Sequence, residues 1–190
     1  MRLLFSAFLA LALLASCAEL SKLKVGSDGM YRFKQQPVAV WAPKECLLDM
    51  AVFESSNSVD FVTGRGYWQA GGQYAVQVYP ISKEIKDATS FIAETKKFLP
   101  QYMVKDRASK GFDFKLRSEK QLEVNGRPAY QAIATEEGKA VFIATFVLHT
   151  SRITVASLIF PVKIGELPET KIPWKCYEKF STSVTETPRQ

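Results

Sequence analysis

The part of the sequence that most constrains the fold is the stretch 112–160. Strand-like runs follow one another here with only short turns between them, at Asn125-Gly126, Gly138-Lys139 and Ser151-Arg152. An Asn-Gly pair between two alternating runs is the strongest short-range signal of a β-hairpin, and connections this short join antiparallel neighbours. The sequence therefore predicts an antiparallel meander of four strands, at 112–124, 128–135, 140–149 and 153–160.

The last two strands of this meander are apolar on both faces. A strand that faces water on one side alternates apolar and polar residues, whereas a strand that is apolar throughout is covered on both sides. We therefore expect the strands at 140–149 and 153–160 to lie in the centre of the sheet, with other elements packed above and below them.

Two amphipathic helices are predicted, one before the meander and one after it. Asp87 stands where an N-cap is expected, and the apolar positions that follow it recur at spacings of one, three and four residues, which describe one face of a helix. Pro100 should end or kink this first helix. The positions that define the two apolar faces are Phe91, Ile92, Thr95, Phe98, Leu99 and Tyr102, and then Trp174, Tyr177, Phe180 and Val184.

Shorter runs of β-forming residues predict further strands at 31–33, 37–41, 47–54, 59–63 and 73–79. The element order is therefore strands, one helix, a meander and a closing helix. A sheet that is apolar on both faces and has two amphipathic helices to cover it indicates an α+β fold, an antiparallel β-sheet with flanking helices in an α/β/α sandwich.

This element order, the hairpin from Val124 to Tyr130, the second hairpin at 140–160 and the C-terminal helix resemble the Mog1/PsbP-like superfamily. Its bacterial members include secreted or lipid-anchored proteins that are DcrB-like. Members of the superfamily mostly bind or scaffold, so the resemblance implies no catalytic residues.

The first seventeen residues resemble a bacterial lipoprotein signal. After Arg2, an apolar run interrupted only by Ser6 ends in Leu14-Ala15-Ser16-Cys17, which matches the lipobox at all four positions. Crossing a bilayer takes about 20 apolar residues, and this run is shorter. We interpret it as a signal that is cleaved before Cys17; an ordinary secretory signal and an uncleaved membrane anchor are the alternatives.

The lipoprotein resemblance implies that acylated Cys17 binds the lipid bilayer. Ala18 stands where Asp typically marks retention at the inner membrane, so we expect a cell-envelope location at the outer membrane, facing the periplasm. We divide the chain into a signal peptide at 1–16, a lipidated tether at 17–29, one α+β domain at 30–185 and a C-terminal tail at 186–190.

Two cysteines remain after Cys17, namely Cys46 and Cys176. An even number of thiols in an oxidising compartment predicts a disulfide. The bond would join the beginning of the domain to its last helix. A pair of free buried thiols is the alternative.

The sequence offers little for catalysis. His149, the single histidine, stands at the end of an apolar strand, and no G-x-S-x-G motif accompanies it. We interpret it as a structural residue held by a turn carbonyl. With two cysteines paired, only carboxylates remain for a metal. We therefore predict no enzyme activity, no metal and no cofactor.

The charges of the chain also exclude a class of partner. The net charge of +6 is spread over mixed basic and acidic stretches, with no basic run interleaved with aromatic residues. Such a run is expected of a nucleic-acid-binding surface. We therefore predict no nucleic-acid partner.

The glycine-rich loop at 64–72 carries two aromatic residues, Tyr67 and Trp68. It lacks the patterns of the phosphate-binding loops. Exposed aromatic residues are frequent in binding hot spots, so the two side chains are candidates for partner binding, and packing against the core is the alternative. The predicted function is a non-catalytic binding or assembly module of the bacterial cell envelope, docking an unidentified envelope protein. The alternatives are a carrier of a small hydrophobic ligand between sheet and helix, and a hydrolase.

Overall fold

The computed structural model describes residues 24–47, 50–63, 72–105 and 112–187. In chain order, the strands are β1 (Met30–Arg32), β2 (Val38–Trp41), β3 (Met50–Glu54), β4 (Ser58–Thr63), β5 (Gln73–Pro80), β6 (Lys115–Val124), β7 (Arg127–Glu136), β8 (Ala140–Leu148), β9 (Arg152–Pro161) and β10 (Thr185–Glu186). The helices are α1 (Ala88–Lys105), between β5 and β6, and α2 (Ile172–Ser183), between β9 and β10.

Seven strands form one antiparallel sheet in the order β3-β4-β5-β9-β8-β7-β6. The predicted meander is confirmed as β6 to β9. Asn125 and Gly126 join β6 to β7, both with positive φ angles, of 52° and 73°. These angles suit the type I′ turn that matches the twist of a hairpin.

The central position of β8 and β9 is also confirmed. Successive side chains of a strand point to opposite faces, and in these two strands both sets are buried. Val141 and Ile143 enter the core on one face, while Phe142 and Phe146 enter the core on the other. The sheet therefore needs a covering layer on each side.

Helix α1 covers one face of the sheet. Asp87 caps it as predicted, because its Oδ1 accepts a hydrogen bond of 2.8 Å from the backbone N–H of Ser90. Phe91, Leu99 and Tyr102 are buried against the sheet. The helix does not end at Pro100 but continues to Lys105. Pro100 lies on the exposed side of the helix, where the carbonyl that loses its partner faces water.

The other face is covered by α2 together with a second, three-stranded sheet in the order β1-β2-β10. Strands β1 and β2 pair antiparallel, with Tyr31 opposite Val40. Strand β10 then joins the free edge of β2, with Thr185 opposite Ala39. The sequence did not predict that these strands form a sheet of their own.

The ordered domain extends past the boundaries predicted at residues 30 and 185. Val25 forms a β-bridge with Tyr31 and packs against the core. At the other end, Glu186 belongs to β10, and the backbone N–H of Thr187 donates to the carbonyl of Pro37 at 2.9 Å. Residues assigned to the tether and to the tail thus take part in the small sheet.

Candidate functional site

A cleft of about 270 Å³ lies between the first half of α1 and the main sheet. Three aromatic side chains define its walls: Tyr79 from the end of β5, Phe98 from α1 and Phe146 from β8. The rings of Tyr79 and Phe98 meet edge to face with centroids 5.5 Å apart. The remaining lining residues are Pro80, Ser82, Ile85, Glu94, Thr95, Ile153 and Val155.

The polar groups of this cleft are few. The Tyr79 hydroxyl donates to Oε1 of Gln77 at 2.5 Å, and Ser82 donates to Glu84 at 2.6 Å. Glu94 forms an ion pair of 2.5 Å with Lys97. Binding sites for small molecules are typically apolar cavities of roughly 300–1,000 Å³ with a few polar groups. The cleft has this apolar character, and its volume is slightly below this range.

His149 belongs to a polar cluster at the end of the meander where Arg127 begins β7 and Arg152 begins β9, and it is only 4 % exposed. Its Nδ1 accepts a hydrogen bond of 2.8 Å from the guanidinium of Arg127. Because a guanidinium can only donate, the ring proton lies on Nε2, which donates to Oγ1 of Thr154 at 2.7 Å. The side chain therefore bonds to Arg127 and Thr154, and not to the turn carbonyl that we expected.

The surroundings of His149 keep it neutral. Burial lowers its pKa most, and the nearby positive charge of Arg127 adds to the effect, so that the pKa falls to about 4. Glu186 opposes the shift. A histidine whose two ring nitrogens are both engaged, and which resists protonation, suits a structural role better than general acid–base catalysis.

Glu186 connects this cluster to the small sheet. Its carboxylate accepts from Arg127 at 3.0 Å, from Arg152 at 3.2 Å and from Ser151 at 3.1 Å. Burial acts to raise the pKa of Glu186, but the hydrogen bonds from Arg127 and Ser151 and the neighbouring charges together outweigh it, and the pKa is lowered. The cluster thus fastens β10 to the turns at the starts of β7 and β9.

Cys46 and Cys176 form a disulfide with a Cα–Cα distance of 6.3 Å. Cys46 lies in the short 3₁₀ turn after β2, and Cys176 lies in α2. The bond therefore joins the small sheet to the helix that packs beside it, across 130 residues of sequence.

Three residues predicted to carry function lie outside the described part of the chain, namely Cys17, Tyr67 and Trp68. Among the described residues, no group of three histidine, cysteine or carboxylate side chains is arranged to hold a metal ion. The helices of the described chain include none that is both long and apolar enough to span a membrane.

A pocket between sheet and helix entered the sequence analysis only through the alternative carrier function, without its lining residues, and the Arg127–Glu186 contacts were not predicted. Tyr79, Phe98 and Phe146 each stood on an element that was correctly predicted, but their meeting depends on how α1 lies on the sheet. The polar cluster had a visible signal, because Arg127, His149 and Arg152 all flank turns at one end of the meander.

Among solved structures, the chain is similar to cyanobacterial PsbP (CyanoP) from Synechocystis sp. PCC 6803, with a TM-score of 0.58 and 12% identity. The match covers 87% of this chain and 97% of that one. It shows a PsbP-like fold, an α+β architecture of antiparallel sheets with two helices. The predicted fold class is thereby confirmed, and at this identity the likeness concerns the fold alone.

Two other solved structures are less similar. A Bacteroides thetaiotaomicron protein matches with a TM-score of 0.46 and 13% identity, over 80% of this chain and 46% of that one. A Pseudomonas aeruginosa protein of unknown function matches with a TM-score of 0.39 and 12% identity, over 75% of this chain and 99% of that one. No protein-family model matches the sequence, and no curated protein matches it.

Proposed function

We propose that this chain is a lipid-anchored, non-catalytic binding protein of the bacterial cell envelope, held at the outer membrane and facing the periplasm. The observation that supports the proposal is the placement of the three cysteines, one in a lipobox and two in a disulfide. Cys17 ends a lipobox only eight positions before Val25, where the β-bridge to Tyr31 begins. The other two cysteines are joined in a disulfide, a bond that persists in oxidising compartments such as the periplasm.

The anchor is tested by the mass of the mature chain. We expect wild-type protein from a bacterial host to begin at Cys17 and to carry acyl groups, and Cys17→Ala to remain an unprocessed precursor without them. Ser16→Gly is the matched control, because the lipobox pattern accepts glycine at this position. Normal processing of Cys17→Ala would overturn the proposal.

The binding role is tested by cross-linking in intact cells, followed by purification and mass spectrometry of the captured proteins. Tyr67 and Trp68 are the proposed contact residues, so the double variant Tyr67→Ala/Trp68→Ala should lose the partner. Phe53→Ala is the control, because Phe53 is an exposed aromatic residue (56 % exposed) on the edge strand β3. A partner retained by the double variant would remove the two aromatic residues from the proposed interface.

A second candidate, a carrier of a small hydrophobic ligand, is favoured by the cleft beneath α1. Its aromatic walls and few polar groups suit an acyl chain or a ring with one polar end. We expect decanoate, used as a probe, to bind the wild-type protein in native mass spectrometry. Ser82→Trp should fill the mouth of the cleft and abolish binding, whereas Ser118→Trp on the exposed strand β6 should not. Equal binding by both variants would exclude the cleft as the site.

A further inference from the structure

Among the described residues, the excess of basic over acidic residues lies in one of the two covering layers. We call this the anchor-side layer: residues 24–47 and 171–187, which hold β1, β2, β10 and α2. It carries seven basic and four acidic residues, whereas the other described residues carry twelve of each. The basic residues are Lys24, Arg32, Lys34, Lys44, Lys171, Lys175 and Lys179, and the acidic ones are Asp28, Glu45, Glu178 and Glu186.

The exposed side of α2 shows how this charge is presented. Lys175 and Lys179 are exposed, and residues four apart lie on the same side of a helix. The ammonium group of Lys179 lies 3.9 Å from the ring centroid of Trp41 in β2. Lys44 is exposed beside Cys46, which is bonded to Cys176 in α2. The disulfide thus keeps the turn that carries Lys44 next to the helix that carries Lys175.

An exposed apolar residue accompanies these charges. Ile172, in the first turn of α2, is 67 % exposed and precedes Lys175 by three positions, on the same side of the helix. Leu167, in the loop that leads into α2, is 62 % exposed. Such exposed aliphatic side chains beside basic ones add apolar contact to the electrostatic attraction of an anionic lipid surface.

The polypeptide enters the domain in this same layer. Val25 is bridged to Tyr31 of β1, and Gly29 lies beside Trp41, with 3.6 Å between the position of a Cβ on Gly29 and Cδ1 of the indole. Eight residue steps separate Val25 from Cys17, and a fully extended chain of that length reaches at most about 28 Å. A domain of this size is about 40 Å across. An anchor at Cys17 therefore disfavours orientations in which α1 faces the bilayer, because Val25 would then lie farther from it than the tether reaches.

We propose that the anchor-side layer docks on the anionic phosphate headgroups of a lipid bilayer, with α2 against the surface and with α1 and its cleft turned away from it. The inference rests on the proposed lipid anchor, which limits the distance between Val25 and the bilayer. It adds the orientation of the domain on that bilayer. Its chemistry is the attraction of lysine clusters to anionic lipid, which decreases within a Debye length and is therefore sensitive to salt.

The test uses the mature chain with Cys17→Ser, so that binding reports on the surface and not on the acyl groups. We expect it to cosediment with vesicles of phosphatidylethanolamine containing about a quarter phosphatidylglycerol, to be released by salt, and to ignore phosphatidylcholine vesicles. Lys44→Glu/Lys175→Glu should weaken binding about tenfold or more, because each lysine contributes separately near a charged surface. Lys83→Glu/Lys86→Glu, an exposed pair near the start of α1, changes the net charge equally and should leave binding intact.

Hydrogen exchange on the same vesicles supplies an independent measurement. Amides of 171–183 should gain protection when vesicles are added, and amides of 88–103 should not.

Equal losses of vesicle binding in the two double variants, or protection of α1 instead of α2, would overturn the proposal. Acylation of Cys17 without vesicle selectivity would overturn the docking surface alone. Vesicle selectivity in a chain that is never acylated would overturn the anchor alone. Capture of an acidic protein without vesicle binding would assign the surface to that protein.

Discussion

At the scale of single residues, His149 shows how burial and neighbouring charge decide what a side chain does. Its ring bonds to Arg127 and Thr154, and Arg152 and Glu186 complete the charged surroundings. A proton added to the ring would be buried facing Arg127, and the existing hydrogen bond from that guanidinium would be lost. The neutral form is therefore the one that the fold requires.

This requirement predicts a pH dependence of stability. The folded pKa of about 4 lies below the ordinary histidine pKa of 6.5, so the unfolded chain binds the proton first as the pH falls. The free energy of unfolding should be fully retained above pH 6.5 and should decrease between pH 6.5 and 4. The decrease from His149 should be roughly 1–2 kcal/mol, allowing for solvent screening.

Urea unfolding at pH 7.5 and pH 4.5 measures this decrease, with His149→Gln as the comparison. The variant lacks the only histidine, so the difference in stability between it and the wild type should shrink at the lower pH. A difference that stays constant would show that His149 does not titrate in this range. The carboxylates outside this cluster are common to both proteins and cancel in the comparison.

The structural role of His149 could be predicted from the sequence, but its partners could not. An isolated histidine at the end of an apolar strand, with no nucleophile motif, indicated packing instead of catalysis. Its contact with Arg127 depends on the register of β7 against β8, in which Ala129 lies opposite Val147. Glu186 was assigned to a tail because strand β10 has only two residues, which is too short for an alternation of apolar and polar residues to be recognised.

At the scale of elements, hairpins and helix caps were the features that local chemistry determined. Asn125-Gly126 produced the turn, and Asp87 produced the N-cap. The cap is reciprocal, because Oγ of Ser90 also accepts from the backbone N–H of Asp87 at 3.0 Å. The limits of prediction appear at Pro100, whose effect depends on whether the carbonyl that it leaves unpaired is buried or exposed.

The cap at α1 gives a prediction of its own. Asp87→Ala removes the acceptor for the Ser90 N–H and should lower the free energy of unfolding by about 1 kcal/mol. Lys83→Ala, an exposed substitution four residues earlier, should change it by less than about 0.5 kcal/mol. Chemical denaturation of the two variants measures both values. Equal stability of the two would show that the capping bond contributes nothing.

At the scale of the whole molecule, the α+β sandwich was predictable because its central strands are apolar on both faces. The composition of the second covering layer was not predictable. Strands β1, β2 and β10 have three, four and two residues. The pairing of segments this short is decided by tertiary packing and not by their own sequence. The cleft beneath α1 depends likewise on the fit between layers.

The disulfide supports the whole molecule by linking two parts of the anchor-side layer that are distant in sequence. In the chain-entropy model, a closed loop of this length stabilises the fold by about 5 kcal/mol. Cys46→Ser/Cys176→Ser should lose most of this amount in urea unfolding. Reductant should lower the wild type to the level of the double variant and leave the variant unchanged. Insensitivity of the wild type to reductant would contradict a stabilising role.

The outer strand β6 bears on whether copies of the protein associate through the edges of their sheets. It is one edge of the seven-stranded sheet, and most of its residues are exposed. An unpaired edge can recruit a strand from a neighbouring molecule unless charge or irregularity prevents it. Strand β6 has both, a register shift between Leu116 and Ser118 and the charged residues Lys115, Arg117, Glu119, Lys120 and Glu123. This edge of the sheet is thereby protected from pairing with a strand of another copy.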